Sequence, residues 1–195
     1  MSLWTLLRGR FSSSNENDID EVRIDGSTNS LQTIDYAHHE IHAGSSFVLS
    51  QRSALNALDI AAPLTFELVT PAGTKLGHLS ISGEANVPAF WELFEDDGDT
   101  DHYSVSGGVA QVAVNRNRSK VATLATITAK NAVTVTKAEP DVLMDTEAVA
   151  KAGASGDRHE FVLKAGTKYL IRLTSYVDNN EGSLTLNFYE HTDKH

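Results

Sequence analysis

Three of the chain's eight histidines fall within five residues, at His38, His39 and His42, with Glu40 between them. Imidazole and carboxylate at such spacing are donors to Zn2+ and related ions, or members of a hydrogen-bonded polar network. The order is not that of helical zinc hydrolases, where a second histidine follows the glutamate by three residues; here it follows by two. The stretch reads as a strand, with His38, Glu40 and His42 on one face and His39 and Ile41 on the other. Alternate residues lie roughly 6.5 Å apart on a strand, so Glu40 and His42 suit one ion, while His38 and His42, roughly 13 Å apart, do not. A metal would need a further ligand, for which His191 is the natural candidate if the terminal strands pair. The plainer expectation is a structural polar network of His38, His39, Glu40, His42, Glu190 and His191, with no metal and no cofactor. Three imidazoles in so small a volume also predict sensitivity to mild acid, near the reference value of about 6.5.

A second cluster, Glu95-Asp96-Asp97-Gly98-Asp99-Thr100-Asp101, places Asp97, Asp99 and Asp101 like the first three ligands of a calcium loop. His102 stands where that loop needs glycine, and Gly108 where it needs a bidentate glutamate, so a solvated acidic loop is expected. Arg116 and Arg118, set among Asn115 and Asn117, are suited to carboxylates on a partner or on the chain itself. Cysteine is absent, and no G-x-S-x-G elbow or glycine-rich phosphate loop occurs; Gly107-Gly108 reads as a turn. The expectation is a protein that is not an enzyme.

The elements that must position these residues are β-strands. Period-two alternation recurs at Leu64/Phe66/Leu68, Leu79/Ile81, Trp91/Leu93, Val112/Val114, Phe161/Leu163, Tyr169/Ile171/Leu173 and Leu184/Leu186/Phe188. Turns are expected at Lys130-Asn131, at Lys164 to Thr167 and at Asp178 to Gly182. One helix is expected, from Asp145 to Ala152 with a glycine stop at Gly153. The fold class predicted is all-β, a single β-sandwich or jelly-roll domain over 31–195, preceded by an extended N-terminal arm over 1–30. In the arm, Trp4, Leu6, Leu7 and Phe11 surround two arginines, and an acidic polar tract follows. Such a segment cannot build a core alone, and its apolar residues suit docking on a neighbouring subunit.

The formal charge of −10 argues against a dedicated nucleic-acid binder, because neutralising phosphates needs a basic face. No apolar run approaches the roughly 18 residues of a spanning helix. SLWTLL is too short for a signal-peptide core, so the expectation is synthesis in the cytoplasm, no export and no membrane partner.

Three stretches together resemble a family of tailed-bacteriophage head decoration, cement or head-fibre proteins: Tyr36 to Phe47 (YAHHEIHAGSSF), Asn115 to Ser119 (NRNRS), and Glu160 to His191, ending YEH. The segment from Arg52 to Gly108 and the first thirty residues show no such match. The resemblance implies a virion structural protein on the capsid exterior that binds the major capsid protein and stabilises the lattice, commonly as a homotrimer. It implies no chemistry for the motif residues beyond fold signatures. Trp4, Leu6, Leu7, Phe11, Arg116 and Arg118 are the residues expected at a capsid or subunit interface. The alternatives are a carbohydrate-binding module using Trp91, Tyr103 and the acidic loop, a tail or neck component, and, last, a metal-dependent enzyme built on Glu40, His42 and His191.

Overall fold

A computed structural model of the chain describes residues 36–149 and 160–192, with the side chains of Tyr36 and Ala37 excepted. Trp4, Leu6, Leu7, Phe11 and the rest of the expected arm lie outside the described residues, as do Lys151, Ala152 and Gly153. The described residues form one α-helix, α1 (Tyr36–Ala43), two short 3-10 turns (Arg118–Lys120 and Pro140–Val142) and eleven strands. These are β1 (Ser46–Arg52), β2 (Leu64–Val69), β3 (Lys75–Ala85), β4 (Ala89–Glu95), β5 (Tyr103–Gln111), β6 (Val114–Asn115), β7 (Thr128–Ala138), β8 (Leu143–Val149), β9 (Glu160–Leu163), β10 (Lys168–Ser175) and β11 (Gly182–Thr192).

All pairings are antiparallel, in two sheets ordered β6-β1-β11-β3-β9 and β5-β7-β2-β10-β4-β8. The inward residues of the alternating runs fill the space between them. Phe47, Leu79, Leu184, Leu186 and Phe188 from the first sheet meet Phe66, Leu68, Trp91, Ile171 and Leu173 from the second. The architecture is a β-sandwich, in which face-to-face packing buries one side of the alternating strands.

The six-stranded sheet carries a second, smaller core on its outer face, made of Phe94, Tyr103, Val133, Val142 and Leu170. It forms because the β5–β7 ribbon bends. The pairing runs Gly107↔Val133 and then Val109↔Asn131, passing over Gly108 and Ala132. Gly107, Gly108 and Ala132 all have positive φ, at 69°, 88° and 51°. Before the bend β7 pairs with β2; beyond it the ribbon lies over the sheet, and the outward Thr65 hydroxyl donates to the Val133 carbonyl at 3.1 Å. The turns expected at Gly107-Gly108 and Lys130-Asn131 are therefore one bend seen from two paired strands, and neither reverses the chain. Glycine and asparagine signal unusual φ, which serves a bend as well as a hairpin.

Other expectations also change. The segment expected as a helix from Asp145 is strand β8 as far as it is described, paired with β4 at the sheet edge. Its helix-forming glutamate and alanine are overridden by pairing and by Val149 entering the core. Val112 and Val114 are exposed and do not form a core strand. The turns at Lys164 to Thr167 and Asp178 to Gly182 lie where expected, but each carries the chain from one sheet to the other rather than closing a hairpin.

Candidate functional site

The stretch from Tyr36 is a helix, not a strand. It ends on Gly44, whose φ of 82° lets Ser45 N–H reach the Glu40 carbonyl (3.0 Å) and Gly44 N–H the Ile41 carbonyl (3.1 Å), the Schellman arrangement. The expected strand facing of the histidines is thereby replaced by a helical one. His38 and His42 are one turn apart and exposed, with their Nε2 atoms 3.0 Å apart. Glu40 is buried, 6% exposed, with His39 Nδ1 3.4 Å from its carboxylate.

The three stretches distant in sequence meet at this helix end. Asn115, itself buried, donates through Nδ2 to the Gly44 carbonyl (2.8 Å) and the Thr123 carbonyl (3.2 Å), while its Oδ1 accepts from Asn117 N–H (2.9 Å). Asn117 Nδ2 donates to the His42 carbonyl (3.0 Å) and Lys120 Nζ to the Ala43 carbonyl (3.0 Å), so the helix's last carbonyls are satisfied from the 115–120 segment. From β11, Glu190 N–H donates to the Ser45 carbonyl at 3.0 Å. The Glu190 carboxylate is 4% exposed and accepts from Thr126 N–H (2.8 and 3.0 Å), Ile127 N–H (2.7 Å) and the Thr126 hydroxyl (2.8 Å). A buried carboxylate is retained here because backbone amides satisfy it.

His191 turns to the other face of β11, where its Nε2 lies 2.7 Å from Nε2 of His78 on β3. His78 Nδ1 lies 3.0 Å from the Tyr189 hydroxyl and 3.3 Å from Glu160 on β9. His78 carries no motif in the sequence; only the β3–β11 register, Tyr189↔His78, brings it to the group. The six residues expected in one network thus stand in separate groups: His38 with His42, His39 with Glu40, Glu190 with the 126–127 amides, and His191 with His78. Among the described residues no group of three or more His, Asp or Glu side chains is placed to hold a metal, and Glu40, His42 and His191 are not brought together.

In the acidic loop the carboxylates cap their own backbone: Asp96 accepts from Gly98 N–H, Asp97 from Asp99 N–H and Asp99 from Asp101 N–H, each at 2.9 Å. Asp97 also meets His102 Nδ1 at 2.8 Å. That hydrogen bond, joined by the charges of Asp99, Asp97 and Asp141 and opposed by burial, raises the His102 pKa above its ordinary value; the same bond lowers that of Asp97. Trp91 and Tyr103, expected as a sugar-stacking platform, are both buried; Trp91 packs in the main core and donates to Glu147 at 3.2 Å. Arg116 and Arg118 are exposed beside the helix junction, with Arg118 Nη1 donating to the Asn115 carbonyl at 3.4 Å.

No family model, no curated protein and no solved structure matches this chain.

At the other end of β11, three connections are bonded into one frame around Asn180, which is 3% exposed. Its backbone pairs with Leu58, its Oδ1 accepts from Val87 N–H (3.1 Å), and its Nδ2 donates to the Val87 carbonyl (3.1 Å) and the Ser175 hydroxyl (3.0 Å). Tyr176 N–H donates to the Pro88 carbonyl (3.3 Å) and Asn179 N–H to Asp59 (2.7 Å). These same connections expose Leu55 (77%), Ile60 (56%), Val87, Tyr176 (56%) and Val177. The sequence marks the 178–182 segment as a turn, but nothing in its local pattern joins it to residues 55–60 or 86–88, because the linkage is made between loops.

Proposed function

We propose that the chain is a bacteriophage virion protein without enzymatic activity, which binds the outer capsid surface, bridges major capsid subunits and acts as a homotrimer. The observation that carries this reading is the loop end: five exposed apolar side chains on three connections that are hydrogen-bonded to one another through Asn180. Apolar groups held in place in the free protein lose little further conformational entropy when covered, so such a surface is suited to association. The sequence resemblance supports the same reading, since its stretches meet in one junction that fixes the end of α1. A clamp that binds only the assembled lattice stabilises it by mass action. The carbohydrate-binding alternative loses its aromatic platform, because Trp91 and Tyr103 are core residues.

The test mixes the purified chain with undecorated capsids. Saturable co-sedimentation is expected, with a rise in capsid melting temperature. Leu55→Asp with Tyr176→Asp abolishes both while leaving the far-UV spectrum unchanged, since each side chain brings about 1.5–3 kcal/mol of burial to the contact. Absence of co-sedimentation at every salt concentration overturns the capsid reading. Full binding by the double variant overturns the assignment of the loop end.

A further inference from the structure

We propose that His38 and His42 form a two-imidazole site for a divalent late transition-metal ion, Cu2+ by preference, on the exposed side of α1. Head-to-head imidazoles with nitrogens 3.0 Å apart would have centroids about 5.3 Å apart; here they are 4.7 Å apart, with the rings inclined by 69°. Two nitrogens 3.0 Å apart, each at the usual imidazole–metal distance of about 2.0–2.1 Å, would subtend an angle of about 90–100° at one shared ion. An angle near 90° belongs to neighbouring positions of a square-planar or tetragonal ion, the preference of Cu2+ and Ni2+ more than of tetrahedral Zn2+. The stability order of divalent ions on such ligands also puts Cu2+ first. With two protein ligands, the remaining positions go to water.

The site is held from behind. Glu40 on the same helix is buried, and the carbonyls of His42 and Ala43 are fixed by Asn117 and Lys120, so the helix cannot roll to carry the pair away from solvent. His39 does not share the pair's position: its Nδ1 lies against Glu40. An ion joining positions 38 and 42 closes a cross-link over one helical turn and stabilises the folded chain in proportion to its occupancy. Protons compete for the same lone pairs, so uptake falls on acidification.

The experiment titrates CuCl2 into the full-length chain at neutral pH, following heat, thermal shift and the nitrogen hyperfine pattern in electron paramagnetic resonance. Expected are a rise in melting temperature and a signal from two equivalent imidazole nitrogens. His38→Gln and His42→Gln each lower the affinity at least tenfold and remove the two-nitrogen signal, with an unchanged far-UV spectrum. His78→Gln, which alters the close imidazole pair with His191, leaves both intact. Should His42→Gln fail to fold, His38→Gln alone decides. No copper uptake, or uptake unchanged in His38→Gln, overturns the proposal. The measurement uses no capsid, so its outcome is independent of the virion reading.

Discussion

The Asp97–His102 pair shows how a single contact sets a pH response. The hydrogen bond favours charged imidazole and charged carboxylate together, raising one pKa and lowering the other. His102's contribution is fully present below its unfolded value of 6.5 and is lost as pH rises through the raised folded value. That of Asp97 is present above its unfolded value of 3.8 and lost as pH falls through the lowered folded value. Between 3.8 and 6.5 both are in place. In a proton NMR titration His102 has its midpoint above 6.5, and Asp97→Asn moves that midpoint down. A wild-type midpoint at or below 6.5, or one that Asp97→Asn leaves in place, contradicts this account. The loop is legible in the sequence because its bonds span five residues or fewer. The partners of Glu190 are not, because the amides that hold it lie 63 and 64 residues away, beyond any local pattern.

Among the elements, the strands with two or three alternating apolar residues are readable because burial on one face imposes period two. The eight-residue α1 is shorter than a periodicity argument needs, and its histidines carry no apolar stripe. Its one clear signal is the stop, Ala43-Gly44, where a left-handed glycine closes the last turn. The bend in the β5–β7 ribbon was visible as glycine and asparagine but not as a bend, since the same residues serve hairpins. Its energetics separate the two glycines. A Cβ on Gly108 would lie 2.6 Å from Val133 Cγ1 and 3.0 Å from the Asn131 carbonyl, whereas one on Gly107 meets nothing within 4 Å. Gly107→Ala therefore costs about 1–2 kcal/mol, for a left-handed alanine alone. Gly108→Ala costs more, about 2–4 kcal/mol, because steric displacement of the partner strand adds to backbone strain. Urea unfolding of the two variants measures the difference; equal midpoints would show that β5 tolerates a side chain at both positions of the bend.

For the molecule as a whole, β10, like β4 and β7, contributes side chains to both cores. Tyr169, Ile171 and Leu173 enter the space between the sheets, while Leu170 enters the core beneath the bent ribbon. A loosened ribbon core therefore disturbs a strand whose other face is fully buried, and the two cores unfold together. The loop end depends on the same unit, because Ser175, at the end of β10, holds Asn180 through its hydroxyl. Leu170→Ala removes a fully buried side chain and costs about 2–5 kcal/mol. Thermal unfolding of that variant remains a single transition, at lower temperature, with far-UV dichroism and Trp91 fluorescence changing in step when Trp4 is replaced by phenylalanine. If Trp91 instead reports a later transition than the dichroism, the ribbon is a separately melting layer, and the sandwich alone carries the surface proposed to meet the capsid.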